Sequence, residues 1–242
     1  MIIQIKNLTK KYGNLVAVRD VSFDIEENQI YALLGLNGAG KTTLIKMLTC
    51  LTAPSGGDAF ICGKSILQHQ SKIKELLNIS PQETSIAQNL TVMENLVFVA
   101  QIYGLSKEET IKRSEEMIAL FHLHDKKDVL TKKLSGGLQR RLGIAMALIT
   151  KPKILFLDEP TLGLDILARR ELWNIIKALK QTTTIILTTH YLEEVEHLAD
   201  EVAIMKQGSI IAKGNIQDIV KQTNSKNFED AFVLLSEKED CI

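Results

Sequence analysis

The chain has 242 residues, 45% of them hydrophobic, and its 29 Lys and Arg are balanced by 29 Asp and Glu, for a formal net charge of zero at pH 7. That apolar share can build a core and excludes wholesale disorder, while the even charge excludes a surface of concentrated cations suited to a nucleic-acid backbone, so no nucleic-acid partner is expected. Three scattered cysteines, Cys50, Cys62 and Cys241, exclude a disulfide scaffold and predict a reducing compartment.

Taken in order, Ile3 and Ile5 alternate with Gln4 and Lys6, and Val21, Phe23 and Ile25 alternate with Ser22 and Asp24, the pattern of strands with one wet face. Lysines follow the first apolar residues instead of preceding them, the reverse of an export signal. Ile30–Leu34 is apolar without interruption, as a strand buried on both faces requires. Leu44, Ile45, Met47, Leu48 and Leu51 recur at helical spacing, Asp58–Cys62 reads as an edge strand, and Lys64–Glu75 as a polar connection. Between Thr91 and Phe121 the spacing is helical in two runs, broken at Gly104, with Ser106 as N-cap and Glu109 at N3 of the second. A further helix is predicted from Leu138 to Thr150, then strand Ile154–Leu157, helix Ile166–Lys180, strand Thr184–Leu187, helix Leu192–Ala199, and strands Val202–Met205 and Ser209–Ala212 about Gly208. The longest apolar runs, such as Ile144–Ile149, fall far short of the roughly 20 residues that span a bilayer, so any membrane role is expected to be peripheral.

Buried strands alternating with helices predict an α/β fold: a mainly parallel sheet, preceded by N-terminal antiparallel strands and carrying an inserted helical lobe. No linker-like run or fixed-period repeat divides the chain. A single domain is expected, with its α/β core at 1–83 and 151–214, the lobe at 84–150 and a short helical tail at 215–242.

Strand Ile30–Leu34 leads into Gly35-Leu36-Asn37-Gly38-Ala39-Gly40-Lys41-Thr42-Thr43 and then into a helix. This is the complete Gly-x-x-x-x-Gly-Lys-Thr phosphate loop of a P-loop NTPase, in the strand-to-helix setting that gives the motif its meaning. Backbone N–H groups from Gly35 to Thr43 would ring the β-phosphate, helped by the positive end of the helix. Lys41 would reach the β- and γ-oxygens, and Thr42 would place its hydroxyl on Mg²⁺, so ATP and Mg²⁺ are the expected ligands. The second half of such a site is an acid at the end of a buried strand, and Ile154–Leu157 delivers Asp158 and Glu159 there. Asp158 would hold the metal, directly or through water; Glu159 would orient or deprotonate the attacking water.

Between these halves stands Leu134-Ser135-Gly136-Gly137-Leu138-Gln139-Arg140-Arg141, a glycine pair capping a helix beside a hydroxyl. It resembles the signature sequence of ABC-type ATPases. The resemblance extends over about residues 1–214: Gln82 matches the Q-loop glutamine, Gly163-Leu164-Asp165 the D-loop, His190 the switch histidine and Tyr12 the adenine-stacking aromatic. It implies the ABC ATPase architecture and the nucleotide-binding subunit of an ABC transporter at the cytoplasmic face of the membrane. It also implies two partners, an integral membrane transporter subunit and a second copy or homologous ATPase subunit.

In the head-to-tail dimer that the resemblance implies, Ser135, Gly136 and Gly137 of one subunit close over the ATP held by the other. Glu159 would be the general base, His190 would hydrogen-bond the γ-phosphate and water, Gln82 would couple the metal site to the lobe, and Asp165 would carry contacts across the interface. The second subunit has a physical task, because Lys41 and its loop cover one side of the γ-phosphoryl group and no arginine is evident as a finger in the same subunit. Leu36 departs from the proline frequent in relatives, and Leu138 from the glutamine. The stretches Leu138–Arg141, Leu162–Asp165 and Thr189–Glu194 look most like subunits of drug, lipid or polysaccharide exporters. An importer subunit, a soluble ABC ATPase acting on ribosomes or DNA, and a nucleotide-dependent scaffold stand as alternatives; the single cassette, without a long insertion between its motifs, speaks against the soluble class.

Overall fold

The computed structural model describes residues 1–83 and 85–237. A hairpin of β1 (Ile3–Tyr12) and β2 (Leu15–Ile25) pairs antiparallel with β4 (Gly56–Ile61), and β4 with the short β5 (Lys64–Ser65), in the order β2-β1-β4-β5. The second sheet takes β3 (Ile30–Leu34), β6 (Leu77–Ser80), β7 (Ile154–Asp158), β8 (Thr184–Thr189), β9 (Glu201–Lys206) and β10 (Ser209–Gly214). Its order is β10-β9-β3-β8-β7-β6, parallel throughout except for β10, which returns antiparallel on β9.

The unbroken apolar strands sort their side chains by pleat. From β3, Ile30, Ala32 and Leu34 enter one buried cluster, and Tyr31 and Leu33 the other; β7 divides Leu155 and Leu157 from Ile154 and Phe156 in the same way. Helix α1 (Lys41–Leu48) adds Leu44, Ile45, Met47 and Leu48 to the second cluster, together with Ile3, Ile5 and Leu8 of β1. The first cluster gathers residues of α5 (Gly136–Ala147), α6 (Ile166–Leu179), α7 (Leu192–Leu198) and α9 (Phe228–Glu237). Each Leu, Ile, Met or Phe among them, fully buried, stabilises the fold by about 1.5–3 kcal/mol.

The inserted segment holds α3 (Val92–Ile102) and α4 (Lys107–Leu120), each opened by a reciprocal capping box, Thr91 with Glu94 and Ser106 with Glu109. Val92, Leu96, Met117 and Phe121 share one buried cluster with Leu155 and Leu157, and α3 and α4 pack on each other and on α5, which lies against β6. Helix α5 begins at Gly136, earlier than predicted. Ser135 is its N-cap, and both signature glycines lie in its first turn, because capping chemistry sets the boundary ahead of apolar spacing.

Helix α2 (Gln70–Lys74) and strand β6 were not expected from the pattern, since Asn78 interrupts Leu77 and Ile79 in too short a run to show a period. Pairing with β7 creates that strand. The predicted tail comprises α8 (Ile216–Gln222) and α9, while residues 238–242, Cys241 included, lie outside the described residues. Among the described residues no helix is long and apolar enough to cross a membrane.

Two buried polar side chains join elements distant in sequence. Asn78 on β6 donates from Nδ2 to the Ala147 carbonyl at 2.6 Å and to Thr150 Oγ1 at 3.0 Å, and accepts from the Tyr103 hydroxyl at 3.1 Å. Asn78→Ala strands these partners and should lower unfolding free energy by about 1–3 kcal/mol, read as a lower urea midpoint at constant slope; an unchanged midpoint would show the contacts to be dispensable.

Glu194 on α7 is fully buried, its Oε1 accepting from Thr161 Oγ1 at 2.8 Å and from Trp173 Nε1 at 3.2 Å. Burial raises its pKa against the pull of these hydrogen bonds, with Glu159 raising it further. The folded chain therefore binds this proton more tightly than the unfolded chain, and the Glu194 contribution to stability falls as pH rises from the ordinary glutamate range, about 4.3, toward the folded-state value. Glu194→Gln should remove that decline, so the difference in unfolding free energy between the two proteins should grow in favour of the variant from pH 4 to pH 8. Parallel pH profiles would contradict the assignment.

Candidate active site

The carboxyl ends of β3, β7 and β8 meet at one edge of the parallel sheet, where open α/β folds present their ligand sites. Register sets the meeting point: Leu34 lies opposite Thr189, and Asp158 opposite Thr188. The Gly35–Gly40 loop leaves β3 there and feeds the N-terminus of α1. At Gly40 φ is +103°, and a Cβ would stand 2.4 Å from the Ala17 carbonyl oxygen. At Gly35 a Cβ would stand 2.4 Å from the Met205 carbonyl oxygen. The loop is thus pressed between β2 and β9, with the Gly208 N–H donating to the Ala39 carbonyl at 3.0 Å, and only glycine fits both contacts.

A cavity of about 850 Å³ opens over this loop. Asn37, Gly38, Ala39, Gly40, Lys41, Thr42 and Thr43 line it, and Tyr12, Gln82, Glu159 and His190 stand on its walls. Gly35 lies behind the cavity, its carbonyl accepting from Lys41 Nζ at 2.7 Å. Lys41 Nζ is also 3.5 Å from Glu159 Oε1, and His190 Nδ1 is 2.9 Å from Glu159 Oε2. That last contact is too bent for a hydrogen bond, and neither atom has another hydrogen-bond partner among the described residues. A buried carboxylate oxygen and an imidazole nitrogen, both without a hydrogen-bond partner among the described residues, suit a polar ligand or water that approaches the two from the cavity.

Thr42 Oγ1 lies 3.3 Å from Asp158 Oδ2, and Thr188 Oγ1 donates to Asp158 Oδ1 at 2.5 Å. Among the described residues no group of three or more His, Cys, Asp or Glu side chains is placed to hold a metal unaided. A hydroxyl beside one oriented carboxylate, facing a phosphate cradle, fits Mg²⁺, which takes one or two protein ligands and completes its shell with phosphate oxygens and water.

The signature and D-loop residues do not line this cavity. Ser135 is exposed and accepts from the Leu138 N–H at 3.4 Å as the cap of α5. Asp165 is likewise exposed and accepts from the Ala168 N–H at 2.9 Å as the cap of α6. These two helix starts are packed together: a Cβ at Gly137 would meet the Ala168 Cβ at 3.2 Å and a Leu164 methyl at 3.9 Å. The unpaired N–H groups of Gly136 and Gly137 therefore belong to a surface separate from the chain's own cavity.

Several contributors escaped sequence reasoning. Leu15, Val16 and Arg19 of β2 line the cavity beside Tyr12, and Gln207 and Gly208 close it from the β9–β10 turn. Strand alternation carried no sign of this. Thr188 could have been noticed as a hydroxyl next to Thr189 and His190; it bridges the two acids, accepting from the Glu159 N–H at 3.0 Å while donating to Asp158.

A family model described as ABC transporter matches residues 18–162. Among curated relatives, the phospholipid-transporting ATPase ABCA3 of Homo sapiens is 42% identical over 217 residues, 88% of this chain, and this chain spans 13% of that protein's length. The daunorubicin/doxorubicin resistance ATP-binding protein DrrA of Streptomyces peucetius is 38% identical over 224 residues, covering 92% of this chain and 68% of DrrA. A solved ATP-binding subunit of an ABC transporter superposes with a TM-score of 0.86 at 29% identity, over 97% of this chain and 99% of that one. The dimeric post-hydrolysis structure of the ATP-binding cassette MJ0796, bound to ADP and Pi, superposes with a TM-score of 0.79 at 26% identity, over 88% and 98% of the two chains.

Proposed function

Since the chain belongs to the ABC transporter family, whose ATP-binding cassettes hydrolyse ATP, we propose that it powers an exporter by closing and reopening a head-to-tail dimer around two ATP molecules. The observation that carries this reading is the convergence of Lys41, Thr42, Asp158, Glu159 and His190 on one glycine cradle. Names of relatives that refer to drug resistance, phospholipid transport and Nod factor export support export over uptake.

In this reading Lys41 turns from the Gly35 carbonyl to the β- and γ-oxygens, and the N–H groups of the loop and the positive end of α1 hold the remaining phosphate charge. Tyr12 stacks on the base. Thr42 and Asp158, with Gln82, would hold Mg²⁺, and the ion when bound would supply positive charge beside the phosphates. Glu159 takes a proton from the attacking water, and His190 steadies that water and the γ-phosphate. The opposite side of the phosphoryl group receives the Ser135 hydroxyl and the Gly136 and Gly137 N–H groups of a second subunit, whose Asp165 lies at the same face. That division of labour accounts for a signature surface kept apart from its own cavity. Residues 1–83 and 151–214 serve as the catalytic core, 84–150 as the lobe that meets an integral membrane subunit at the cytoplasmic face, and 215–242 as a tail.

Glu159→Gln tests the chemistry. ATP affinity should be retained, kcat should fall by roughly 10²–10⁴-fold, and an ATP-dependent dimer should persist in light scattering; a monomeric, fully active variant would refute the reading. Extraction in mild detergent tests the partner: an integral membrane protein co-purifying in fixed stoichiometry supports transport, and ribosomal or DNA cargo in its place would overturn it.

A further inference from the structure

Arg140 sits in the second turn of α5, five residues beyond the signature serine, and only 5% of its surface is exposed. It does not reach the cavity. Its guanidinium is spent on main-chain carbonyls of two other segments. Nε donates to the Pro160 carbonyl at 2.9 Å and Nη2 to the Asp158 carbonyl at 2.7 Å, the carbonyls of the residues on either side of Glu159. Nη1 donates to the Pro81 carbonyl and, at 3.4 Å, to the Gln82 carbonyl. Burial pushes the guanidinium down to about 10, against Asp158, Glu194 and Glu159, which raise it, so it remains charged at neutral pH.

Glu159 needs such support. Its φ is +48°, a left-handed conformation uncommon for a side-chain-bearing residue and costing on the order of 1–3 kcal/mol, and it precedes a proline. On one side the Glu159 N–H is held by Thr188. On the other, Arg140 grips the carbonyls before and after it. A planar fork with five donors can serve two segments at once, whereas an ammonium on a flexible stem directs its charge to one point.

Resting on the reading of Glu159 as general base, we infer that Arg140 is a positioning residue for hydrolysis: it holds the Glu159 peptide in its strained conformation and ties the Gln82 loop to the same signature helix. It is not an arginine finger, because its guanidinium is committed to the main chain within its own subunit. Loss of the fork lets Glu159 relax away from the attacking water while the phosphate cradle, built on other residues, stays intact.

The test compares Arg140→Lys and Arg140→Gln with the unsubstituted chain, each as the full chain together with any membrane subunit that co-purifies. ATP dissociation constants by calorimetry should stay within about twofold, and kcat should fall about 10–100-fold, the scale of an ångström-sized misplacement of a catalytic group, less for Lys than for Gln. Should Arg140→Gln fail to fold, Arg140→Lys carries the test. The same substitution is then made in the Glu159→Gln background and followed by single-turnover phosphate release. A residue acting through Glu159 should cost nothing further there, within about twofold. An unchanged kcat in folded variants, a matching loss of ATP affinity, or an undiminished further loss in the Glu159→Gln background would each overturn the inference. Unimpaired turnover of Glu159→Gln alone would instead remove the base assignment on which it rests.

Discussion

The parallel register of β3, β8 and β7 is the constraint on which everything else at this site depends. Because Leu34 is paired with Thr189 and Asp158 with Thr188, the Gly35–Gly40 loop, Asp158 with Glu159, and His190 leave the sheet within one layer of one another. A slip of one residue in β7 would exchange its two buried faces and carry Asp158 away from Thr42. The apolar side chains that divide cleanly between two clusters are what forbid that slip, so the core fixes the chemistry by fixing the pleat.

Charge is concentrated where the strands end. Lys41, Asp158 and Glu159 are each more than nine-tenths buried, an arrangement tolerable only because each carboxylate has an oriented partner and the lysine has two carbonyls. Such a cluster is preorganised for a ligand that brings both negative phosphates and a cation. The helix start at Gly136 and Gly137 does not line this cavity and is packed against the start of α6. Two copies arranged head to tail would each lend the surface that the other lacks.

Backbone conformation at the site is held by side chains from elsewhere. Glu159 is kept left-handed by Thr188 on one side and Arg140 on the other, and Gly40 is kept left-handed by the nearness of Ala17. Arg140 adds a link of a different kind, since a residue of the signature helix touches both the Glu159 turn and the Gln82 loop. A displacement of α5 would therefore act on the Glu159 turn and the Gln82 loop directly, through main-chain hydrogen bonds.

By itself the sequence determined the buried strands, the phosphate loop, the paired acids and the capped helix at Ser106, because these rest on local periodicity and on residue types with few other uses. It did not reveal β6, whose four residues become a strand only by pairing with β7, nor the start of α5 at Gly136, which the Ser135 cap decides over apolar spacing. The cavity wall at Arg19 and Gln207 and the fourfold grip of Arg140 were equally hidden. Each joins segments far apart in the chain, and hydrogen bonds to main-chain carbonyls leave no pattern in the sequence of the segments that accept them. Tertiary structure alone decided those contacts, because they follow from where packing brings the segments together and not from which residues the segments contain.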